Sequence, residues 1–499
     1  MTFPSLPNID QKNTLIWLIL VSLVITSLVV IILFFPFRFV FEFDPDEGVE
    51  LIKALLYSRG HELYNEIYND QPPLFTIVLS VIFKLFDEKV IIGRITVLSF
   101  SVVLISASMV YLRLFWGVIH AFTVVGLILL VPYYIRLSVS VMIGLPAVSL
   151  AMVAFLFLSL WHRNQERKYI IFSAAFLSLS VFTKLITIVL VPIFALGILL
   201  QCVQIRKKLE HIDRAFLPFG VWLLAFLGLS AILGKFLVGF ENLSQLLEIH
   251  SLARSINFFQ QLATENNLFN LLKPSWGILF LGALGALTTI IRRKWTALYL
   301  VAWILAGIIS LAITLPVWYH HTILITVPAA ILGAIFVGEI VVRVRKIIHE
   351  RDEHSRKEYT AIGLGLCAIA LVIYTRIPPI FNQLSPRLTN IIQTNEDATP
   401  DTEVLALIGD HAGDKELMIT DRPMFAFRAR ISVPPNLALF SGKRLYTGVL
   451  TEDDVIESIE TIEPGIVLLA RFPLGEVEHF LNGSYKRIYY YNRYRLYVR

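Results

Sequence analysis

Long apolar runs separated by short polar loops extend from the N-terminal region to about residue 375. Most of these runs approach the length of about 20 residues that a helix needs to cross a bilayer. Reading hydropathy in windows predicts about eleven membrane spans. The predicted spans cover residues 14–37, 91–112, 118–135, 138–161, 169–183, 185–201, 215–233, 275–291, 296–315, 321–342 and 359–375. The first run is too long for a signal sequence and lacks a small-residue cleavage site, so we expect it to remain as an anchor.

The pattern changes near Asp401 to that of a soluble α/β unit. The stretches ELMITD (416–421) and GIVLLAR (465–471) are typical of buried strands, and TEDDVIESIETI (451–462) is typical of an amphipathic helix. The last residues, KRIYYYNRYRLYVR (486–499), are aromatic and β-branched around a central Asn-Arg pair, which predicts a closing hairpin. This region carries neither a Gly-rich phosphate loop nor a metal-binding spacing.

The expected domain organisation follows from these two patterns. A transmembrane body occupies residues 1–376, a linker follows at 377–400, and a small α/β domain occupies 401–499. The fold class is therefore an α-helical polytopic membrane protein with a C-terminal α/β domain.

Composition supports a lipid environment and excludes several other classes of protein. Of the 499 residues, 56% are hydrophobic and 16% are charged, and the mean hydropathy is +0.70, far from the values of soluble domains. The cysteines, Cys202 and Cys367, lie far apart in or beside apolar segments, which argues against a disulfide framework or a cysteine-based metal site. The net charge of +5 arises from short basic loops, so no nucleic-acid partner is expected.

The distribution of lysine and arginine predicts the orientation of the body. Four loops are clearly basic, and the predicted order of spans places all four on one side of the membrane. These loops are Arg163–Lys168, Arg206–Lys208, Arg292–Lys294 and Arg343–Lys357. The positive-inside rule makes that side cytoplasmic. The loops 41–71, 234–274 and 315–321, and the tail after 376, are then non-cytoplasmic, and the protein is placed in the cell membrane. Residues 72–86 would be roughly 22 Å long as a helix, so they predict a dipping segment that does not cross.

The first outer loop, residues 41–71, is strongly acidic. It holds eight carboxylates against Lys53 and Arg59, and these are Glu42, Asp44, Asp46, Glu47, Glu50, Glu62, Glu66 and Asp70. Its segment FEFDPDEG leads into a stretch with apolar residues at helical spacing that ends at Gly60.

A structural role explains part of this acidic segment. Asp44 is placed as the N-cap, Pro45 as the first helical residue, and Glu47 as the partner that closes a capping box. Asp46 has no such role. Its carboxylate would lie in the first helical turn, where the positive end of the helix keeps it ionised and able to accept a proton from a hydroxyl.

The loop and the segments after it resemble the GT-C glycosyltransferases of the protein-mannosyltransferase and aminoarabinose-transferase type. The resemblance rests on the Asp-Glu pair, followed by SRGHELY (58–64), NDQPPLF (69–75) and IGRITVLSF (92–100). It extends to LSLSVFTKLITIVLVPIF (177–194), WYHHTILITVPAAIL (318–332) and the α/β tail.

The resemblance implies a polyprenyl-phosphate sugar as donor and Asp46 as catalytic base, with Glu47 beside it. One position departs from the pattern. Aminoarabinose transferases carry Glu-Lys before the paired prolines, whereas this chain carries Asp70-Gln71. Asp70 is a candidate substrate contact there, without the lysine that would hold a phosphate.

Further candidate substrate contacts lie deeper in the chain. Lys184 stands between two apolar runs, where an ionised group costs at least ~2.5 kcal/mol unless it reaches water or a partner, so it either snorkels or contacts the carrier phosphate. His250 and Arg254 are four residues apart on a predicted helix and so share a face. His320 and His321 stand at the mouth of a span, where at most one faces the cavity, and His321 is the candidate.

These assignments predict a membrane glycosyltransferase that acts by a single displacement with inversion. Asp46 serves as general base, Lys184 and Arg254 stabilise the leaving phosphate, and the acceptor is a glycan, a lipid or a protein. No cofactor is assigned, although Asp44, Asp46 and Glu47 together could hold a divalent cation.

The alternative is a transporter or flippase for a lipid-linked sugar, with the same charged groups on an ion-coupled pathway. The paired, broken spans of inverted-repeat transporters are not found in the sequence. A scaffold without catalysis would give Asp46 and Lys184 no role.

Overall fold

The computed structural model of the chain is mainly helical. It describes residues 21–22, 24–26, 28–29, 40–206, 215–246, 252, 255–265, 267–314, 316–349, 360, 362–375, 400–413 and 417–499. The helices of the first half are Pro45–Ser58, Leu74–Leu85, Val90–Phe115, Val118–Leu129, Tyr134–Leu137, Gly144–Asn164, Arg167–Thr183 and Leu190–Arg206. Those that follow are Leu217–Leu233, Asn257–Glu265, Leu268–Leu272, Trp276–Ile291, Leu298–Ile313, Ile323–His349 and Ile362–Thr375.

Tight turns link several of these helices. Those with 3-10 geometry are Leu185–Val189, Phe240–Asn242, Lys273–Ser275, Trp295–Ala297, Tyr319–Thr322 and Pro435–Leu437, and Gly234–Val238 forms a π turn.

Seven helical stretches in the described part of the chain are long and apolar enough to cross a membrane. They are Val90–Phe115, Gly144–Asn164, Leu185–Gln204, Leu217–Val238, Leu268–Ile291, Trp295–Ile313 and Tyr319–Ile348. The chain is therefore a multi-pass membrane protein, as predicted.

The predicted count of about eleven spans is not confirmed. The first predicted span, 14–37, lies almost entirely outside the described residues. The third predicted span, 118–135, contains a helix of only 12 residues, Val118–Leu129, because the chain turns before Tyr133, whose φ is 62°. Leu74–Leu85 also has 12 residues, about 18 Å as a helix, which agrees with a segment too short to cross.

Small residues allow the membrane helices to approach closely. The Trp276–Ile291 helix packs against Ile323–His349 with Gly282 and Gly285 at the contact. A methyl group at Gly285 would overlap the carbonyl oxygen of Leu332. Such contacts give van der Waals packing between helices that gain little from the hydrophobic effect in lipid.

The C-terminal unit, residues 400–413 and 417–499, contains a four-stranded sheet. Strands β1 (Met418–Thr420), β2 (Ile466–Leu469), β3 (Lys486–Tyr491) and β4 (Tyr494–Val498) lie in the order β1-β2-β4-β3. β1 is parallel to β2, and β4 is antiparallel to both of its neighbours. The helices of this unit are Pro400–His411, Met424–Ala429, Gly442–Tyr446, Glu452–Ile462 and Gly475–Ser484. The predicted strands, helix and closing hairpin are thus present.

This C-terminal unit packs directly on the Pro45–Ser58 helix. Gly48 makes the close approach feasible, because a methyl group there would lie 2.5 Å from the backbone nitrogen of Met424. Arg422 also donates from Nε to Glu42 at 2.8 Å. The first outer loop and the C-terminal unit therefore lie on the same side of the membrane.

Candidate active site

The N-terminal end of the Pro45–Ser58 helix is the centre of the site. Asp44 is the N-cap, and its Oδ1 accepts a hydrogen bond from the backbone nitrogen of Asp46 at 3.1 Å. The helix ends before Gly60, whose φ of 102° suits glycine. The predicted cap, proline and glycine positions are therefore present, and they fix where the carboxylates of the first turn lie.

The capping box predicted between Asp44 and Glu47 does not form. Glu47 instead accepts a hydrogen bond from the backbone nitrogen of Phe43 at 2.9 Å. Its oxygens are also held by Arg94, at 2.8 Å from Nε and 2.9 Å from Nη2. Glu47 is fully buried and Arg94 is 2% exposed. This internal ion pair ties the outer loop to a membrane helix. Both oxygens of Glu47 therefore already accept hydrogen bonds from the protein.

Asp44 is likewise held from outside its own loop. Tyr319 donates from its hydroxyl to Oδ2 of Asp44 at 2.8 Å, and the Arg136 guanidinium lies 3.8 Å from the same oxygen. Arg136 also lies over the Tyr319 ring, 4.9 Å from its centroid, and donates to the carbonyl of Phe43. These contacts join three distant segments at the helix N-terminus.

Asp46 differs from both neighbouring carboxylates. Its side chain is half-buried and forms no hydrogen bond or salt bridge with any residue that the structure describes. Burial raises the pKa of Asp46, the nearby Asp44 carboxylate raises it further, and Arg471 and Lys184 oppose the rise. A carboxylate with no protein partner and a raised pKa is suited to accept a proton.

Lys184 lies where the Arg167–Thr183 helix ends. Its side chain is buried, with 8% of the residue exposed, and its ammonium has neither a hydrogen bond nor a salt bridge within the described part of the chain. A methyl group at Gly144 would lie 3.7 Å from its Nζ, so this glycine leaves space in front of the ammonium. The charge of Lys184 acts on Asp46 through space. Lys184 and Asp46 therefore lie within electrostatic range of each other and are candidates for one site.

The structure adds His320 as a second candidate beside His321, which stays a prediction. The Nδ1 of His321 accepts a hydrogen bond from the backbone nitrogen of Trp318 at 3.2 Å, which caps the Tyr319–Thr322 turn. His320 is 7% exposed and lies within electrostatic range of Lys184. The tight turn draws His321 back onto its own backbone and leaves His320 on the inner side.

A buried polar network holds the segment that carries Asp70. Lys53 is 1% exposed and donates to Glu50 Oε1 at 2.9 Å and to Asn69 Oδ1 at 3.1 Å. Asn69 donates in turn to the backbone carbonyl two residues further along, at 2.8 Å. The network fixes Asp70 near Asp46, since the charge of Asp70 contributes to the raised pKa of Asp46.

Basic residues of the C-terminal unit complete the surroundings. Arg471 follows β2 and acts on the charge of Asp46, and Lys443 of the Gly442–Tyr446 helix acts on Lys184. Sequence reasoning assigned no chemistry to this unit and missed both residues. It also missed Arg136, although a charged residue between two apolar runs is itself a signal of function.

Two predicted contacts, His250 and Arg254, lie outside the described residues. Among the residues that are described, no group of three or more His, Cys, Asp or Glu side chains is arranged to hold a metal ion. The three carboxylates considered for a divalent cation do not fit that role together. Asp44 is engaged by Tyr319, and Glu47 is engaged by Arg94.

Solved structures with a similar fold cover almost the whole chain. ArnT from Cupriavidus metallidurans bound to undecaprenyl phosphate matches with a TM-score of 0.58 over 96% of this chain and 97% of that chain, at 13% identity. Its apo state matches with a TM-score of 0.57 over the same shares, at 14% identity. The apo oligosaccharyltransferase of Archaeoglobus fulgidus matches with a TM-score of 0.50 over 86% of this chain and 65% of that chain, at 12% identity.

No protein-family profile matches the sequence, and no curated protein matches it in a sequence search. At identities this low the likeness concerns the fold. The resemblance predicted from the first outer loop is confirmed at that level: the chain has the fold of the GT-C glycosyltransferases ArnT and oligosaccharyltransferase.

Proposed function

We propose that this chain is a membrane glycosyltransferase that moves a sugar from a polyprenyl-phosphate donor to an acceptor on the non-cytoplasmic face, with inversion. The observation that carries the proposal is a carboxylate, Asp46, within electrostatic range of a buried cation, Lys184, neither of which has a hydrogen-bond or salt-bridge partner for its side chain among the described residues. The fold shared with ArnT, whose structure contains undecaprenyl phosphate, supports a lipid-phosphate carrier.

The proposed reaction is one displacement at the anomeric carbon. Asp46 takes the proton of the acceptor hydroxyl while that oxygen forms its bond to the sugar. The bond between the anomeric carbon and the phosphate oxygen breaks, and polyprenyl phosphate leaves with the electron pair. Lys184 binds this phosphate, a role that the sequence also predicts for Arg254. Glu47 is reassigned from chemistry to positioning, because both of its oxygens are held by Arg94.

The site is proposed to face away from the cytoplasm. The first outer loop and the C-terminal unit share one side, and the basic loops of the sequence favour the opposite side as cytoplasmic. In a variant lacking Cys202 and Cys367, a cysteine placed at Ser441 should react with an impermeant thiol reagent in intact cells. Labelling only after the membrane is opened would reverse the orientation.

A transfer assay tests the function itself. Purified protein is incubated with a panel of radiolabelled polyprenyl-phosphate sugars and membrane extract, and labelled product is separated from the carrier. We expect one donor to yield product with the unchanged chain and with Asp453→Asn, an exposed control in the C-terminal unit, but not with Asp46→Asn. Movement of the carrier between vesicle leaflets without bond formation would instead establish the transporter alternative.

A further inference from the structure

A cleft of about 270 Å³ lies between the first outer loop and the C-terminal unit. Residues 42–45 line one side of it, and Arg422, Arg471 and Arg493 line the other. The cleft adjoins the proposed catalytic site, because it includes Asp44 and because Arg471 also acts on the charge of Asp46. The charged groups that line the cleft have no role in the reaction proposed for Asp46 and Lys184.

Glu42 contributes an unused acceptor to the cleft. Its side chain is only 3% exposed, and its Oε2 accepts a hydrogen bond from Arg422 Nε at 2.8 Å. Its Oε1 is buried and has no hydrogen-bond partner among the described residues. Burial raises the pKa of Glu42 to about 7, against the attraction of Arg422. A buried oxygen without a donor is uncommon in proteins and fits a ligand that supplies one.

Two arginines contribute unused donors. The guanidinium groups of Arg471 and Arg493 make no hydrogen bond or salt bridge within the described part of the chain, and they lie over the rings of Phe472 and Tyr494, at 5.0 Å and 5.6 Å from the centroids. Arg422, in contrast, is engaged by Glu42. Free guanidinium forks match the oxygens of phosphate and carboxylate groups.

We propose that this cleft is the acceptor subsite and that the acceptor carries an anionic group, a phosphate or a carboxylate, which Arg471 and Arg493 bind while a hydroxyl donates to Glu42. This inference rests on the proposed function. The C-terminal unit then selects the acceptor. Arg471 lines the cleft and acts on the charge of Asp46, so an acceptor bound to it has a hydroxyl within reach of the base.

Binding of soluble sugars to the full-length purified protein tests the cleft directly. Glucose 6-phosphate, glucuronate, glucose and inorganic phosphate are titrated by calorimetry. We expect one acidic sugar to bind more tightly than both glucose and inorganic phosphate, and the acidic sugar that binds identifies the anionic group. Arg471→Gln and Arg493→Gln should each weaken that binding by about tenfold or more.

Arg499→Gln is the matched control, because Arg499 is exposed in the same unit and is paired with Glu463 at 2.7 Å. It should leave the affinity unchanged. The inference would be overturned if glucose bound as tightly as the acidic sugars, or if none of them bound. It would also be overturned if neither cleft variant weakened the binding.

The transfer assay separates this failure from a failure of the proposed function. A labelled product that is retained on an anion-exchange resin after the carrier is removed supports an anionic acceptor. A neutral product would still demonstrate glycosyl transfer, but it would overturn the inference of an anionic acceptor. A third outcome is that no sugar is transferred although an acidic sugar binds in a manner that depends on Arg471. This would overturn the proposed function, and with it the role of the cleft as an acceptor subsite.

Discussion

Arg94 donates from Nε and Nη2 to the two carboxylate oxygens of Glu47, at 2.8 Å and 2.9 Å, in the protein interior. Asp46 is the preceding residue and has no such partner among the described residues. Successive residues on a helix point about 100° apart, so one turn can direct one carboxylate into the body and leave the next one towards the site. Under the proposed mechanism, Glu47 holds the loop in place and Asp46 carries out the chemistry.

Loss of this pair should destabilise the fold. Glu47→Gln leaves the Arg94 charge buried without its counter-ion, and breaking a buried pair costs about 3–5 kcal/mol. Thermal unfolding of the purified protein in detergent should therefore begin at a clearly lower temperature, with Arg499→Gln as an exposed-pair control that changes little. A Glu47→Gln protein with unchanged stability but abolished transfer would return Glu47 to the chemistry.

The pH dependence of transfer should report the raised pKa of Asp46. A general base must be deprotonated, so kcat/KM should fall as the pH drops through this pKa, and the fall should begin above the pKa of about 3.9 of a solvated aspartate. Arg471 lowers the pKa of Asp46. Arg471→Gln should therefore move the acid limb of the profile to higher pH, and a limb that stays in place would contradict the coupling.

The sequence predicted those features that depend on neighbouring residues. The N-cap Asp44, the glycine after the helix, the strands of the tail and the short helix at 74–85 all follow from local pattern and capping chemistry. The sequence also predicts that Asp46 takes no part in the cap, and its side chain has no hydrogen-bond or salt-bridge partner among the described residues. The reason differs, since Glu47 is held by Arg94 and not by a capping box.

Contacts between distant segments could not be predicted from one sequence. Tyr319 is 275 residues from Asp44 along the chain, and nothing in either local pattern indicates the hydrogen bond. The different surroundings of His320 and His321 arise from a 3-10 turn that hydropathy does not reveal. The predicted span at 118–135 is longer than the helix found there for a related reason, since a window average does not register the turn before Tyr133.

Lys184 should contribute mainly to binding of the carrier. The leaving phosphate is present in both the ground state and the transition state, so a cation that holds it stabilises both. Lys184→Met removes the charge but keeps the apolar length, and we expect the KM for the carrier to rise more than kcat falls. Ser101→Ala, at a buried hydroxyl paired with Tyr134, provides a control for changes in packing. An unchanged KM in a folded variant would remove Lys184 from the site.

Asp46→Asn should abolish most transfer while preserving the fold. The amide keeps the size of the side chain but does not take a proton at neutral pH, and loss of a general base typically costs ~10²- to 10⁴-fold in rate. Because the Asp46 carboxylate has no hydrogen-bond or salt-bridge partner in the described part of the chain, its neutral replacement should leave the unfolding temperature unchanged or raise it.

Asp44→Asn is the matched comparison, since asparagine remains a good N-cap: its Oδ1 can still accept from the backbone nitrogen of residue 46. Its amide nitrogen replaces the oxygen that accepts from Tyr319 and can donate to the Tyr319 hydroxyl instead. We expect a mild loss of transfer for this variant. Rates for both variants and for the unchanged chain should be measured with saturating carrier, beside unfolding curves and carrier affinity. Near-normal turnover by Asp46→Asn, or a collapse of Asp44→Asn activity with stability intact, would move the base to Asp44.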